Sequence, residues 1–144
     1  MLKTVNLKEV IVGKKPITVE SGVTVREACR VMSQAEKGAI MVLSGGRLQG
    51  IFTERDLLKR VVAEGLNPDS VTVDDVMTGS LVVGSPDDSY QRAIQKMVSA
   101  SCRHLPVVNG DKVQGLVSRR DLMKLDIELL EEELDRRDPA TLFI

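Results

Sequence analysis

Gly50-Ile51-Phe52-Thr53-Glu54-Arg55-Asp56-Leu57 and Gly115-Leu116-Val117-Ser118-Arg119-Arg120-Asp121-Leu122 are one pattern written twice, 65 positions apart. Residues 17–59 slide onto 82–124 without a gap. Identities fall at Ala28/Ala93, Met32/Met97, Val42/Val107, Gly45/Gly110, Gly50/Gly115, Arg55/Arg120, Asp56/Asp121 and Lys59/Lys124, and many other pairs are like-for-like. A repeat found this way fixes the architecture before any single motif is read.

Outward from the quoted stretches, each repeat reads as strand, helix, hairpin, helix. In the first, Ile17-Thr18-Val19 is a short strand and Glu20-Ser21-Gly22 a turn. Thr24 then opens a helix with Glu27 as its capping-box partner. Val25, Ala28, Cys29, Met32 and Ala35 recur at helical spacing. The apolar run 39–43 suits a strand buried on both faces. Ser44-Gly45-Gly46 turns a hairpin into a return strand, Arg47 to Phe52. A helix from about Glu54 carries Leu57, Leu58, Val61 and Val62. The second repeat follows the same plan, with Leu81-Val82-Val83 as first strand, a helical stripe of Tyr90, Ala93, Ile94, Met97 and Val98, and Leu105-Pro106-Val107-Val108 as inner strand. Boundaries fall at 5–64 for repeat one, 65–72 for a linker, 73–127 for repeat two and 128–144 for a C-terminal helix and tail. Val73–Met77 reads as a helical turn entering repeat two, and Lys8–Ile11 as its weaker counterpart before repeat one.

From Asp121 the tail continues as a helix with Leu122, Leu125, Leu129 and Leu130 on one face. Glu132/Arg136 and Glu133/Arg137 are i,i+4 pairs, and Pro139 ends the helix. One reading is an amphipathic helix that covers its own core; the alternative is a dimer contact, because Leu134 and Leu142-Phe143-Ile144 add apolar area beyond the repeat.

Bulk properties exclude several classes. The chain has 144 residues, 42% hydrophobic and 28% charged, which is the range of one compact unit. A net charge of -1 lacks the footprint of a nucleic-acid binder, and 2% aromatics leaves little for base-stacking platforms. No apolar run reaches the roughly 20 residues of a membrane span. Cys29 and Cys102 occupy non-equivalent places and form no metal-ligand spacing, which fits a reduced cytoplasmic chain without signal peptide or metal. His104, the sole histidine, has no evident carboxylate partner. The absence of HExxH and P-loop motifs also argues against a catalytic site.

The two Gly-apolar-x-Ser/Thr-x-x-Asp copies, with Arg103-His104-Leu105-Pro106-Val107-Val108 and Val76-Met77-Thr78, resemble a tandem pair of cystathionine-β-synthase-type domains, a stand-alone CBS pair or Bateman module. The resemblance covers about residues 5–127. It implies an α/β (α+β) fold of two β-α-β-β-α repeats packed by pseudo-two-fold symmetry, with two clefts. It also implies a homodimer and a non-catalytic regulatory role on a separate protein partner. The ligand would be an adenosine compound: AMP, ADP or ATP, with S-adenosylmethionine and NAD as further members of that class.

The residues supply a physical reason for such a ligand. A helix N-terminus presents unpaired N–H groups to phosphate, and a carboxylate suits two ribose hydroxyls. The same tetrads also make capping boxes, and the two roles can coexist. Carried over from the family, site one uses Thr53 and Asp56 with Val82, Val83, Arg103, His104 and Leu105. Site two uses Ser118 and Asp121 with Ile17, Thr18, Gly38, Ala39 and Ile40. Arg103-His104 offers charge where Gly38-Ala39 offers none, so the sites are expected to be unequal, with phosphate at the Arg103 site. The alternative is a structural interaction or dimerisation module with vestigial clefts.

Overall fold

The structure is a computed structural model that describes residues 4–136. Elements follow in the order α1 (Leu7–Ile11), β1 (Thr18–Glu20), α2 (Val25–Ala35), β2 (Ala39–Ser44), β3 (Arg47–Thr53), α3 (Glu54–Asp56), α4 (Val73–Val76), α5 (Tyr90–Ala100), β4 (His104–Asn109), β5 (Lys112–Ser118) and α6 (Arg119–Asp135). This is the mixed α/β architecture expected. Arg137, Pro139 and Leu142-Phe143-Ile144 lie outside the described residues.

Helix starts and stops follow local chemistry. Thr24 Oγ1 accepts from the Glu27 N–H at 3.2 Å, and Ser89 Oγ from the Arg92 N–H at 3.1 Å. Glu27 does not close the expected box; its carboxylate pairs with Arg30 at 3.9 Å. Both helices end in a left-handed residue, Glu36 and Ser101, whose N–H turns back to the last carbonyls.

In repeat one, β1 runs parallel to β2 and β2 antiparallel to β3. In repeat two, β4 and β5 form the matching hairpin. Both hairpins have an irregularity at the same point, Val42/Leu43 and Val107/Val108. The expected strand Leu81–Val83 does not form; a single parallel bridge, Gly84 to Val107, stands in its place. Two prolines clip the ladder at its ends. Met41, the counterpart of Pro106, donates its N–H to the Ile17 carbonyl at 3.4 Å, and Ser21, the counterpart of Pro86, donates to Leu43 O at 2.7 Å, whereas neither proline has an N–H to give. The ladder therefore begins one bond later, with Gly84 N–H to Pro106 O at 2.8 Å and Val108 N–H to Gly84 O at 2.9 Å.

The helix after β3 also departs from expectation. After α3 it widens into a π-helical stretch, Leu57–Val62, in which the Ala63 N–H reaches Leu58 O and the Leu66 N–H reaches Val61 O. Val61 is buried and Leu57 packs on the core, but Leu58 and Val62 face out. Leu130 of the expected α6 face is likewise exposed, while Leu122 and Leu129 are buried.

The two short helices are exchanged. Val73 and Val76 of α4 lie in the apolar cluster of repeat one, beside Val25, Ile40 and Phe52. Leu7 of α1, with Val5, lies in the cluster of repeat two beside Tyr90, Met97 and Leu105. Backbone bonds fix both. The Val25 N–H donates to Val71 O and the Val73 N–H to Val23 O; the Leu7 N–H donates to Asp88 O and the Tyr90 N–H to Val5 O. Burying each such aliphatic side chain contributes roughly 1.5–3 kcal/mol. Among the described residues, no helix is long and apolar enough to cross a membrane.

Candidate functional site

Where β3 ends, Thr53 is extended and its Oγ1 accepts the Asp56 N–H at 3.3 Å. Asp56 Oδ2 in return accepts from the Thr53 N–H at 3.0 Å and the Thr53 hydroxyl at 3.2 Å. Asp56 is 6% exposed. Its Oδ1 accepts from Thr78 Oγ1 at 3.3 Å, and Arg60 Nε stands 3.8 Å away. A carboxylate has about four lone-pair sites. The Thr53 N–H and hydroxyl both reach Oδ2, and the Thr78 hydroxyl is the one neutral donor on Oδ1.

Thr78 is carried there by an antiparallel bridge to Ile51, with both N–H···O bonds made, at 3.0 and 2.9 Å. Gly50 permits the approach. A Cβ at residue 50 would fall 2.6 Å from Met77 Sδ and 2.8 Å from Thr78 O. The glycine that opens the repeated motif thus brings the second repeat's lead-in against the first repeat's carboxylate.

Around this carboxylate is a cleft of about 290 Å³. Repeat one contributes Gly38, Ile51 and Thr53 to Asp56. Repeat two contributes Thr78, Ser80, Leu81 and Val82 from its lead-in, and Ala100 to His104 from the α5–β4 junction. The lining includes apolar side chains (Ile51, Leu81, Val82), hydroxyls (Thr53, Thr78, Ser80, Ser101), the basic groups Arg55, Arg103 and His104, and the acidic Glu54 and Asp56. Burial holds His104 below the ordinary histidine range, and Arg103 works in the same direction; Asp121 and Glu54 pull the other way.

Of the first set of site residues, Thr53, Asp56, Val82, Arg103 and His104 meet at this cleft. Val83 is half-buried and turned to α5, its carbonyl accepting from Lys96 Nζ at 3.1 Å. Leu105 is fully buried in the core. Thr78 and Ser80 join the cleft although the sequence pattern singles out Val76-Met77-Thr78 only as part of the family resemblance. The sequence carries no local mark of this role, because Thr78 reaches Asp56 only through the bridge to Ile51.

The second set is not gathered in the same way. Ser118 Oγ accepts the Asp121 N–H at 3.0 Å, and Asp121 Oδ2 accepts the Ser118 N–H at 3.1 Å. Asp121 fronts a different hollow, of about 390 Å³, with Val5, Val10, Lys14, Lys124 and Glu128 among its walls. Gly38 belongs to the first cleft, Ala39 and Ile40 are buried, Ile17 is half-buried and Thr18 is exposed on β1. The residue 65 positions before Thr78 is Gly13, so the second carboxylate lacks that hydroxyl. Burial opposes ionisation of Asp121, but the Ser118 N–H and hydroxyl, with Lys14 and Lys37, outweigh it and hold the carboxyl below its usual range.

The family profile for the CBS domain matches residues 7–63 and 73–128, both repeats. The chain belongs to the CBS-domain family. It is 39% identical over 104 residues to the CBS domain-containing protein CBSCBSPB2 of Arabidopsis thaliana, a match covering 72% of this chain and 19% of that protein. It is 37% identical over 105 residues to the CBS domain-containing protein YhcV of Bacillus subtilis, covering 73% of this chain and 74% of YhcV. The CBS pair thus spans about a fifth of the plant relative and most of the bacterial one. Its fold matches that of the CBS domain protein PAE2072 from Pyrobaculum aerophilum, solved in complex with AMP. The TM-score is 0.75 at 24% identity, over 81% of this chain and 89% of the other.

Proposed function

We propose that this CBS pair is a non-catalytic, homodimeric sensor that binds an adenine nucleotide in the Asp56 cleft and modulates a separate protein partner. The observation that carries this reading is the convergence of Asp56, Val82, Arg103 and His104 on one hollow built from both repeats. Val82 and Leu81 offer an apolar face for adenine, Asp56 accepts from the ribose hydroxyls, and Arg103 with Arg55 meets phosphate. AMP in a related fold is consistent with this assignment. At about 290 Å³ the cleft lies near the lower end of the range for small-molecule sites, roughly 300–1,000 Å³. The unequal carboxylate surroundings favour one nucleotide per chain. Free thiols at Cys29 and Cys102 suit a reducing, cytoplasmic setting.

Mass spectrometry of the small molecules released on denaturation, followed by a thermal-shift panel of AMP, ADP, ATP, NAD and S-adenosylmethionine on the stripped protein, tests the reading. A ligand at 100 times its Kd adds about 2.7 kcal/mol. A folded, stripped protein that shifts with none of the five is an interaction module with vestigial clefts.

A further inference from the structure

Arg60 stands behind the Asp56 cleft and is not one of its lining residues. It follows Asp56 by one turn, in the π-helical stretch, and reaches two places at once. Its Nη1 donates to Val76 O at 3.2 Å and to Met77 O at 2.9 Å. Its Nε lies 3.8 Å from Asp56 Oδ1, the oxygen that also takes the Thr78 hydroxyl. The two carbonyls come at the end of α4, where helical bonding leaves them open. Thr78, the next residue, begins the lead-in that repeat two gives to the cleft. One guanidinium thus ties the carboxylate of repeat one to the lead-in of repeat two.

Repeat two solves the same problem without a side chain. The residue 65 positions after Arg60 is Leu125, which packs on the apolar cluster of its own repeat. Ile11 O, the counterpart of Val76 O, accepts from the Lys14 N–H at 3.0 Å. Backbone closes α1, whereas Arg60 closes α4. The lead-in after α4 depends on that closure, because Leu81–Val83 forms no strand and its backbone meets repeat one through the bridge from Thr78 to Ile51. Arginine suits the task in a way lysine does not. Its planar fork aims Nη1 and Nε in different directions at fixed angles, so carbonyls and carboxylate are engaged together; a lysine ammonium is a point charge on a flexible stem.

We infer that Arg60 is a positioning residue of the Asp56 cleft: it fixes the lead-in of repeat two against the carboxylate, so that Thr78, Leu81 and Val82 are in place before the nucleotide arrives. This rests on the nucleotide site proposed above and says how that site is kept ready. A wall that is already ordered costs the ligand less on binding.

Isothermal titration of AMP into the stripped full chain reads the effect. Arg60→Leu should weaken AMP binding about tenfold. Arg60→Lys keeps the charge and loses the fork, and should weaken it nearly as much; it also carries the test should Arg60→Leu fail to fold. Full affinity in Arg60→Lys would mean that positive charge alone matters, and full affinity in Arg60→Leu that Arg60 does not matter at all. Either result overturns the inference. Hydrogen exchange on the ligand-free protein is the second measurement. The Ile51 and Thr78 amides, bonded across the bridge, should exchange faster in both variants, while those of α2 stay as in wild type. Unchanged exchange at both amides would overturn the inference as well. Wild type that binds no AMP, with faster exchange in the variants, would refute the nucleotide reading and leave the Arg60 anchor standing.

Discussion

The Thr78 hydroxyl donates to Asp56 Oδ1 at 3.3 Å, from the lead-in of one repeat to the helix start of the other. This bond distinguishes the two carboxylates. Asp56 is oriented by both repeats at the mouth of a shared cleft, whereas Asp121, with Gly13 in the equivalent place, is held by Ser118 and lysines at another hollow.

Asp56→Asn and Asp121→Asn, made singly, should therefore differ. The asparagine carbonyl still accepts the capping N–H, so both proteins fold. Isothermal titration should show AMP affinity falling roughly 10- to 100-fold for Asp56→Asn, the loss expected for charge-assisted hydrogen bonds, and little change for Asp121→Asn. Equal losses in the two variants would refute the assignment to one cleft.

Gly50→Ala places a methyl group within 2.6 Å of Met77 Sδ and 2.8 Å of a backbone oxygen. Urea denaturation should register a loss of about 1–3 kcal/mol. Gly79→Ala, where the nearest atom is 3.9 Å away, should stay close to wild type and serves as the control. If the two glycines prove equally tolerant, Gly50 is not what admits Thr78.

Pro106→Met supplies the N–H that Met41 provides in repeat one. The new amide should reach Val82 O and be protected against hydrogen exchange. The added bond, about 1 kcal/mol, is offset by the greater freedom of the unfolded chain, so stability stays within about 1 kcal/mol of wild type. An amide at 106 that exchanges like an exposed loop would show that something other than proline keeps the strand from forming.

His104 gives stability a pH dependence whose sign is fixed. Its folded pKa lies below the unfolded value of about 6.5, so between the two the unfolded chain binds more protons. Stability is fully present above that unfolded value and declines as pH falls toward the folded one. The depressed carboxyl of Asp121 acts in the same sense lower down, its contribution present above about pH 4 and lost as pH falls through the folded value. Urea midpoints compared above and below the ordinary histidine pKa should show less acid sensitivity in His104→Gln than in wild type. Identical slopes would remove His104 from the account.

Much of the fold could be read from residue patterns alone. The hairpins and the helices α2 and α5 were legible because alternation, helical spacing and capping residues are local signals. The missing strand before Gly84 was also visible in principle: Leu81-Val82-Val83 looks like a strand, but its neighbour carries Pro106. The π-helical stretch has no sequence mark distinguishing Leu58 and Val62 from core residues. For the site, the carboxylates and Arg103-His104 stood out through repetition and charge. Thr78 did not, because its role depends on a contact between distant segments made possible by the bare backbone of Gly50.

The exchanged positions of α1 and α4 mean that neither half of this chain is a self-sufficient folding unit. A fragment ending before Val71 would expose the floor under Phe52 and Val25, and one starting after Ile11 would open the cavity that Leu7 fills. Denaturation should accordingly occur in a single cooperative transition, with far-ultraviolet and Tyr90 signals superimposed.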